Sequence, residues 1–515
     1  MSSAESYEQL PYPSAAFSQT HPWRLGAVAT LHGVDAPPPD SCRVLELGCS
    51  DGGNLINIAY TLPGADCVGI DYAPGHIAAA KRTAAALGLT NCSFFAADIA
   101  ALPDVLGAFD YIIAHGVYSW IPAHIQDSLL RACGELLTPT GIAYVSYNTF
   151  PGWHGYRMMR EVLALGVEPA GDVRQRIIGA RDFLAELQRT SGGDNPAYTS
   201  IVASTADNFR RSEDAYLGHE YFEDDNEPSY FQEFIGKARI FGLEYVAEAF
   251  SPGTYLHNAP QRVLDEIAGR TDDRVESEQW LDFFIGRQFR KTLLCKAQRN
   301  MPTELDSRKF RHLHIAPMIS RVEESPDDAP QFVAPNGLAI GSGNPVLRRA
   351  LELLAERRPH SVSFDELLAA AAGNAPSERD AAAIIALCRQ CYDDMLAHFF
   401  NAPSNALRDA GSRPRVSAVA RLQAQSGMII TTLNHTAVQF DEPIPILLLR
   451  VADGSRTRDE LLEILRAEHD RGGFTLSDAD GRPLTNRRES EKMLSVALDV
   501  CLEQFARFAL LEAEG

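Results

Sequence analysis

Five apolar segments of strand length alternate with helical segments over residues 42–148. The strand-like segments read RVLELGC, ADCVGID, CSFFAAD, FDYIIAHG and GIAYVSYN, and helices are predicted at residues 54–62, 75–87 and 123–137. This order is typical of βαβ units, in which helices cover both faces of a parallel sheet. The strands are apolar throughout rather than alternating, as expected of a sheet covered on both sides. The pattern predicts an α/β fold with a Rossmann-like sheet.

Helical periodicity dominates beyond Gly152. In GDVRQRIIGARDFLAELQRTSG the apolar residues recur on one helical stripe. Two later segments, residues 241–250 and 289–297, again read as strands. We expect them to form the final antiparallel pair of the same sheet, which then has seven strands. Residues 155–240 are accordingly predicted to be a helical insertion.

The C-terminal part is predicted to be mostly helical. Residues 321–336 combine three prolines with four acids, which is typical of a linker. Helical segments follow at residues 344–358 and 378–400, and residues 427–454 look strand-like. Short helices with an interposed β-hairpin are compatible with a winged helix. Because few basic residues lie in any candidate recognition helix, packing or partner binding is favoured over DNA reading.

These patterns divide the chain, at roughly 150 residues per domain, into a small number of parts. The predicted parts are an N-terminal arm (1–40), a Rossmann-like ligand-binding domain (41–154), a helical insertion or regulatory region that completes the sheet (155–300), a linker (301–336) and a mostly α, winged-helix-like domain (337–515).

Charge and composition exclude several classes of protein. The formal net charge of −21 argues against a protein whose main task is to bind nucleic acid. We expect no secretory signal in the N-terminal residues, and no apolar run approaches the roughly 20 residues of a membrane span; the candidate at residues 444–449 is strand-sized. A cytoplasmic protein without membrane insertion is expected. Nine cysteines, an odd number, argue against a disulfide framework, and the single C-x-x-C at Cys388 and Cys391 lacks a second pair, so no metal site is predicted.

The segment VLELGCSDGGN, residues 44–54, reads as a strand, a tight turn and the start of a helix. Gly48 permits a sharp turn, Gly52 and Gly53 permit a ligand to approach the backbone, and the helix start offers free N–H groups. Taken alone, this signal is shared by nicotinamide, flavin and methyl-donor sites.

Three acids at the ends of successive strands indicate which of these ligand classes the site binds. Glu46 precedes the first glycine in an E-x-G-x-x-x-G pattern, although Ser50 stands where a third glycine is common. Asp71 ends the second strand, where a carboxylate accepts the hydroxyls of a ribose. Asp98 ends the third strand, where an adenine amino group would lie. This constellation resembles the S-adenosylmethionine site of Rossmann-like methyltransferases, and its glycine spacing disfavours a nicotinamide dehydrogenase.

Longer segments resemble one family more specifically, the bacterial protein-lysine methyltransferases of rickettsial type with a methyltransferase regulatory domain. They are YPSAAFSQTHPWRL at residues 12–25, the segments HEYFEDDNEPSYFQEF and FRKTLLC, and in the C-terminal domain ARLQAQSGMIITTLNHTAVQF and ADGSRTRDELLEIL. The resemblance implies S-adenosyl-L-methionine as cofactor, S-adenosyl-L-homocysteine as product, a cavity open to protein substrates and a possible homodimer. The residues expected at the donor are Tyr12, His21, Glu46, Gly48, Cys49, Asn54, Asp71, Tyr72, Asp98, Ile99 and His115.

Aromatic and polar residues after the fourth and fifth strands are expected to border the methyl group, because open parallel sheets bind ligands beyond these strand ends. An aromatic rim with polar edges suits an amine acceptor. The substrate-binding candidates are Trp120, Asn148, Trp153 and His154. The catalytic candidates are His115, Tyr118 and Tyr147, which sequence cannot rank.

The predicted function is N-methylation of protein lysine side chains by in-line methyl transfer. A small-molecule methyltransferase and a donor-binding regulator without catalysis remain open as alternatives. Methylation of nucleic acid is disfavoured, because A-H-G-V stands on the fourth strand instead of N-P-P-Y or D-P-P-Y. The segment EYFEDDNE, residues 220–227, holds five acids and is interpreted either as a solvated loop, which is favoured, or as a region that steers a lysine-rich substrate.

Overall fold

A computed structural model describes most of the chain. The described residues are 15–168, 172–190, 195–249, 259–297, 302, 304–322, 330–373, 375–404, 406–427, 429–477, 482, 484 and 486–513. Its largest feature is a seven-stranded sheet, whose strands are β1 (Arg43–Leu47), β2 (Asp66–Asp71), β3 (Cys92–Ala96), β4 (Phe109–Ala114), β5 (Leu137–Asn148), β6 (Leu243–Glu248) and β7 (Phe289–Lys296).

The sheet has the order β3-β2-β1-β4-β5-β7-β6. Strands β1 to β5 are parallel, whereas β7 runs antiparallel to both β5 and β6. This topology confirms the predicted Rossmann-like core and the predicted pairing of its last two strands. The carboxyl ends of the five parallel strands therefore meet at one edge, where ligands of such sheets bind.

Helices cover both faces of the sheet. One face packs against α1 (Pro22–Leu31), α2 (Gly53–Thr61) and α3 (Pro74–Ala86), and the other packs against α4 (Ala123–Leu136). Burial on both faces explains why β1, β2, β4 and β5 are largely apolar, whereas in the edge strand β3 only Phe94 is buried.

A block of four helices follows β5 and has a core of its own. These helices are α5 (His154–Gly166), α6 (Val173–Thr190), α7 (Pro196–Arg211) and α8 (Asp214–Phe222). The next helix, α9 (Phe231–Ile240), differs from the predicted insertion: its Phe231 and Phe234 are buried in the core of the sheet. Two further helices, α10 (Gln261–Ala268) and α11 (Arg274–Ile285), precede β7.

The described residues of the predicted linker at 301–336 contribute to a separate hydrophobic core. Phe310 and Phe332, which lie within the predicted linker, are fully buried in this core. That core is built from β8 (His314–Pro317), β9 (Ser320–Arg321), β10 (Phe332–Val333), β11 (Ala339–Ile340), α12 (Pro345–Arg357), β12 (Val362–Ser363), α13 (Phe364–Ala372), α14 (Glu378–Asp393) and β13 (Ala397–Phe400). Buried aromatic side chains thus anchor the described residues before and after residues 323–329, the stretch that holds the four acids and lies outside the described residues.

The last part of the chain is a helical unit with one β-hairpin. It contains α15 (Ala418–Ser426), β14 (Ile429–Thr431), β15 (Ala437–Gln439), α16 (Pro443–Val451), α17 (Arg458–Asp470) and α18 (Arg487–Arg507). The prediction that residues 427–454 are strand-like is correct for the hairpin and wrong for α16. Short apolar runs have no decisive period, and Pro443 fits the first turn of a helix. Among the described residues, no helix is long and apolar enough to cross a bilayer.

Candidate active site

The turn between β1 and α2 follows the predicted glycine motif. Its backbone is left-handed at Gly48, Ser50 and Gly52, with φ of 75°, 49° and 82°. A Cβ at Gly48 would lie 2.3 Å from Cγ2 of Val117, so only glycine permits this approach to the end of β4. Gly48 and Cys49 donate their N–H groups to the Ile70 carbonyl, which fixes the turn against β2.

Asp71 holds this turn from the neighbouring strand. Its Oδ2 accepts the Ser50 N–H at 2.8 Å, and its Oδ1 accepts the Ala73 N–H at 2.9 Å. On the next strand along, Asp98 Oδ1 accepts the Ala100 N–H at 2.8 Å. Glu46, Asp71 and Asp98 therefore lie at the same edge of the sheet, each near the carboxyl end of its own strand, as the sequence predicts. Tyr72 and Ile99 follow two of these acids, and Tyr72 is exposed.

Glu46 is buried, and only one of its two carboxyl oxygens has a side-chain hydrogen-bond partner. Its Oε1 accepts a hydrogen bond from Nδ2 of Asn54 at 2.8 Å, whereas its Oε2 has no partner among the described residues. Burial, reinforced by the charge of Asp71, raises the pKa of Glu46 to about 8 against the opposing hydrogen bonds from the Asn54 side chain and the Leu55 backbone. A buried carboxylate oxygen without a partner is suited to receive a cationic group. Cys49, beside it, is a buried free thiol whose pKa burial raises.

The N-terminal arm and the C-terminal hairpin both contact Asn54. Its Oδ1 accepts the Phe17 N–H at 3.0 Å and lies 2.9 Å from Nε2 of His435. His21 caps the start of α1, where its Nδ1 accepts the Trp23 N–H, and its Nε2 lies 2.9 Å from the Thr61 hydroxyl at the far end of α2. Tyr12 lies outside the described residues. The sequence therefore identified the arm, but not Phe17 or His435 as the residues that reach Asn54.

His115 ends β4 and is held by two hydroxyl groups. Its Nδ1 lies 2.9 Å from the Tyr144 hydroxyl and 3.1 Å from the Ser146 hydroxyl, and the Phe17 ring packs 3.9 Å from its own. Burial and the charge of Lys291 lower the pKa of His115 to about 3, so its imidazole is neutral at physiological pH. Sequence reasoning missed Tyr144 and Ser146, although their alternate positions on β5 would have placed them on one face.

Tyr118 and Tyr147 are not brought together with His115. Both are fully buried in the core on the opposite face of the sheet, where the Tyr147 ring stacks on Phe234 with centroids 4.0 Å apart. Tyr147 alternates with Ser146 on β5 and therefore faces the other way. Burial raises the pKa of both phenols. This placement favours packing, and a catalytic role for either tyrosine stays a prediction.

The substrate candidates form a rim near the start of α5. The Trp120 and Trp153 rings lie 6.4 Å apart, and Trp153 Nε1 donates to Asn226 Oδ1 at 2.9 Å. Asn148 is buried, and its amide nitrogen has no partner among the described residues. His154 is exposed, with Nε2 3.2 Å from the Tyr230 hydroxyl.

The acidic segment at residues 220–227 is not the solvated loop that its composition favours. Glu220 is buried, and Glu223 lies 2.8 Å from the His219 ring with its side chain almost fully enclosed. Arg160 donates hydrogen bonds to the carbonyls of both residues. Burial raises the pKa of Glu220 to about 7. Fewer than five charges are thus available to steer a substrate, because packing removes two of them from the surface.

Comparison with known proteins agrees with this architecture. Residues 39–165 match the family described as "Methyltransferase domain", residues 213–296 match "Predicted methyltransferase regulatory domain", and residues 412–510 match "PKMT, C-terminal winged helix domain". A Rickettsia prowazekii protein, "Uncharacterized protein RP789", is 30% identical over 98% of this chain and 93% of its own length.

A solved structure extends the likeness to three dimensions. PKMT2 from Rickettsia typhi in complex with AdoHcy is 25% identical to this chain, and the match covers 97% of this chain and 100% of that one with a TM-score of 0.87. The same protein without a stated ligand gives a TM-score of 0.86. The chain therefore belongs to the S-adenosylmethionine-dependent methyltransferases that carry a methyltransferase regulatory domain and a PKMT-type C-terminal winged-helix domain.

Proposed function

We propose that this methyltransferase transfers methyl groups to lysine side chains of proteins. The observation that carries the proposal is the full-length likeness to PKMT2 from Rickettsia typhi, which includes the regulatory and winged-helix regions as well as the sheet. Cytoplasmic location, the domain boundaries drawn from the sequence and assembly as a homodimer stay predictions.

The residues at the edge of the sheet fit the cofactor. S-adenosylmethionine, when bound, supplies an electrophilic methyl group on a sulfonium. We assign Glu46 to the α-ammonium group, because its buried Oε2 has no other partner among the described residues. Asp71 would accept the ribose hydroxyls while it holds the Ser50 N–H, and Asp98 would lie at the adenine.

The acceptor side requires a neutral amine. Lysine has an ordinary pKa of about 10.4, and removal from water lowers it. His115 is neutral and is fixed by Tyr144 and Ser146, so it can orient an amine by a hydrogen bond. With its lowered pKa it is too weak a base to hold the proton that the lysine amine loses. Phe17 and the half-exposed Phe289 border the His115 ring and would exclude water from the amine. The chain's own contribution is therefore alignment and desolvation.

The acceptor class is tested with donor labelled on the methyl group. The full chain is incubated with labelled donor and a cell lysate that is afterwards separated into proteins and small molecules. We expect label in proteins, and mass spectrometry should find it as methylated lysine. Label confined to small metabolites would replace the proposal by a small-molecule methyltransferase, and absence of label would favour a donor-binding regulator.

Donor binding is expected to depend on pH through Glu46. With a pKa of about 8 in the free protein, Glu46 is largely protonated at pH 7, whereas a cationic ammonium group favours the carboxylate. Binding should therefore release a proton below pH 8, and affinity should fall by up to about tenfold per unit of decreasing pH and level off above pH 8.

Titration calorimetry with S-adenosylhomocysteine from pH 6 to pH 8, in two buffers of different ionisation enthalpy, measures both the affinity and the proton release. Glu46→Gln keeps the shape of the side chain but cannot ionise, so its affinity should be lower and lose this dependence. Constant affinity of the unaltered protein across this range would contradict the assignment of Glu46.

A further inference from the structure

A chain of hydrogen bonds connects the C-terminal hairpin with the candidate donor site. His435 lies in the turn between β14 and β15, is fully buried and has a left-handed backbone with φ of 56°. Its Nε2 lies 2.9 Å from Oδ1 of Asn54, which is 381 residues away in the sequence. Asn54 in turn donates from Nδ2 to Oε1 of Glu46 at 2.8 Å. The winged-helix region thus reaches the first turn of α2.

The chemistry of Asn54 fixes the direction of each bond. The Phe17 backbone N–H can only donate, so the Asn54 atom beside it is Oδ1, and the amide nitrogen faces Glu46. That oxygen has two lone pairs and receives two N–H donors, the Phe17 backbone and His435 Nε2, while the Thr20 hydroxyl, also 2.8 Å from the Phe17 carbonyl, lies 3.0 Å away as a shared donor. The imidazole of His435 must therefore carry its proton on Nε2. Burial, with the charge of Arg24, lowers the pKa of His435 to about 3, in keeping with a neutral ring.

We infer that His435 is a positioning residue, through which the C-terminal domain holds the Asn54 amide toward Glu46 and so sets the affinity for the methyl donor. The inference rests on the proposed contact between Glu46 and the donor. Without His435, Oδ1 of Asn54 loses an N–H donor, and the amide can rotate away from the carboxyl group that it orients. The Phe17 N–H and the Thr20 hydroxyl still reach this oxygen, so the effect is partial.

A second contact between the same helix and the same domain provides a matched control. Tyr60, near the other end of α2, donates to Glu512 Oε2 at 2.5 Å and accepts the Ala418 N–H at 3.0 Å. Its side chain also packs against Ala406, Leu433 and Ala509. Tyr60→Phe removes these hydrogen bonds to the C-terminal domain without touching Asn54 or Glu46. It therefore separates general docking of the domain from the specific bond to Asn54.

The test compares full-length variants by calorimetry with S-adenosylhomocysteine. Loss of a hydrogen bond that satisfies a buried amide corresponds to about tenfold in affinity, so we expect His435→Ala to raise Kd about tenfold. His435→Gln offers an amide N–H near the position of Nε2 and should restore most of the affinity. Tyr60→Phe should bind as the unaltered chain does. In methyl transfer, His435→Ala should raise KM for the donor and leave KM for the acceptor unchanged.

Two results would overturn the inference: an unchanged Kd in His435→Ala, or an equal loss in His435→Ala and Tyr60→Phe. Glu46→Gln separates this failure from a failure of the proposed donor site. If Glu46→Gln leaves Kd unchanged, the contact between Glu46 and the donor is wrong. If Glu46→Gln weakens binding and His435→Ala does not, only the positioning role of His435 is wrong.

Discussion

Replacing Asp71 by alanine is expected to weaken binding of S-adenosylhomocysteine by about 100-fold or more. The carboxylate is proposed to accept two ribose hydroxyls, and each hydrogen bond to a charged group contributes about 1.5–3 kcal/mol. The same side chain also accepts the Ser50 and Ala73 N–H groups, so its loss releases the left-handed turn after β1. Asp71→Asn keeps the shape and one acceptor oxygen and should lose less. Titration calorimetry measures both variants.

Asp66 provides the matched control on the same strand. It lies at the opposite end of β2, where its half-exposed carboxylate pairs with Arg43 at 2.8 Å. Asp66→Ala removes the same functional group from β2 and should leave donor affinity unchanged. If Asp71→Ala bound the donor as the unaltered chain does, the ribose would not be held at the end of β2.

Replacing Arg290 by methionine is expected to lower the free energy of opening at the β6–β7 edge by about 3–5 kcal/mol, the usual cost of leaving buried charges without their partner. Arg290 is fully buried and donates to Asp282, Glu248 and Glu278, with its guanidinium 3.7 Å from the Phe231 ring centroid. Burial opposes ionisation of Glu248, yet Arg290 and Arg287 hold its pKa below the ordinary value. Hydrogen exchange of the β7 amides measures the change.

The pH dependence of this loss follows from the same charges. Without Arg290 the neighbouring carboxylates are more difficult to ionise, so they accept protons at higher pH than in the unaltered chain. The loss of opening free energy in Arg290→Met should therefore become smaller as the pH falls. Arg239→Met is the control, because Arg239 forms a bidentate but solvent-exposed pair with Glu244 of β6. Exposed pairs contribute little, so exchange in β7 should barely change. An equally small effect of Arg290→Met would mean that the buried network does not stabilise this edge.

Much of the fold and part of the site were predictable because their signals are local. The apolar strands, the spacing of helices and the glycine turn predicted the Rossmann-like core, and the acids Glu46, Asp71 and Asp98 followed from their positions at strand ends. Where the sequence pattern was compatible with more than one local structure, the structural prediction was wrong or incomplete. Residues 443–451 form a helix because a short apolar run has no decisive period. Glu220 is buried although the segment at residues 220–227 holds five acids.

By itself, the sequence determined the α/β fold class, the glycine turn after β1 and the positions of the acids at the edge of the sheet. These features depend on hydrophobic periodicity and on backbone geometry within a few residues. Only the tertiary structure decided which side chains meet. It placed Tyr118 and Tyr147 in a core away from His115, and it brought His435 to Asn54. Contacts between residues far apart in the chain are set by packing, and no local pattern encodes them.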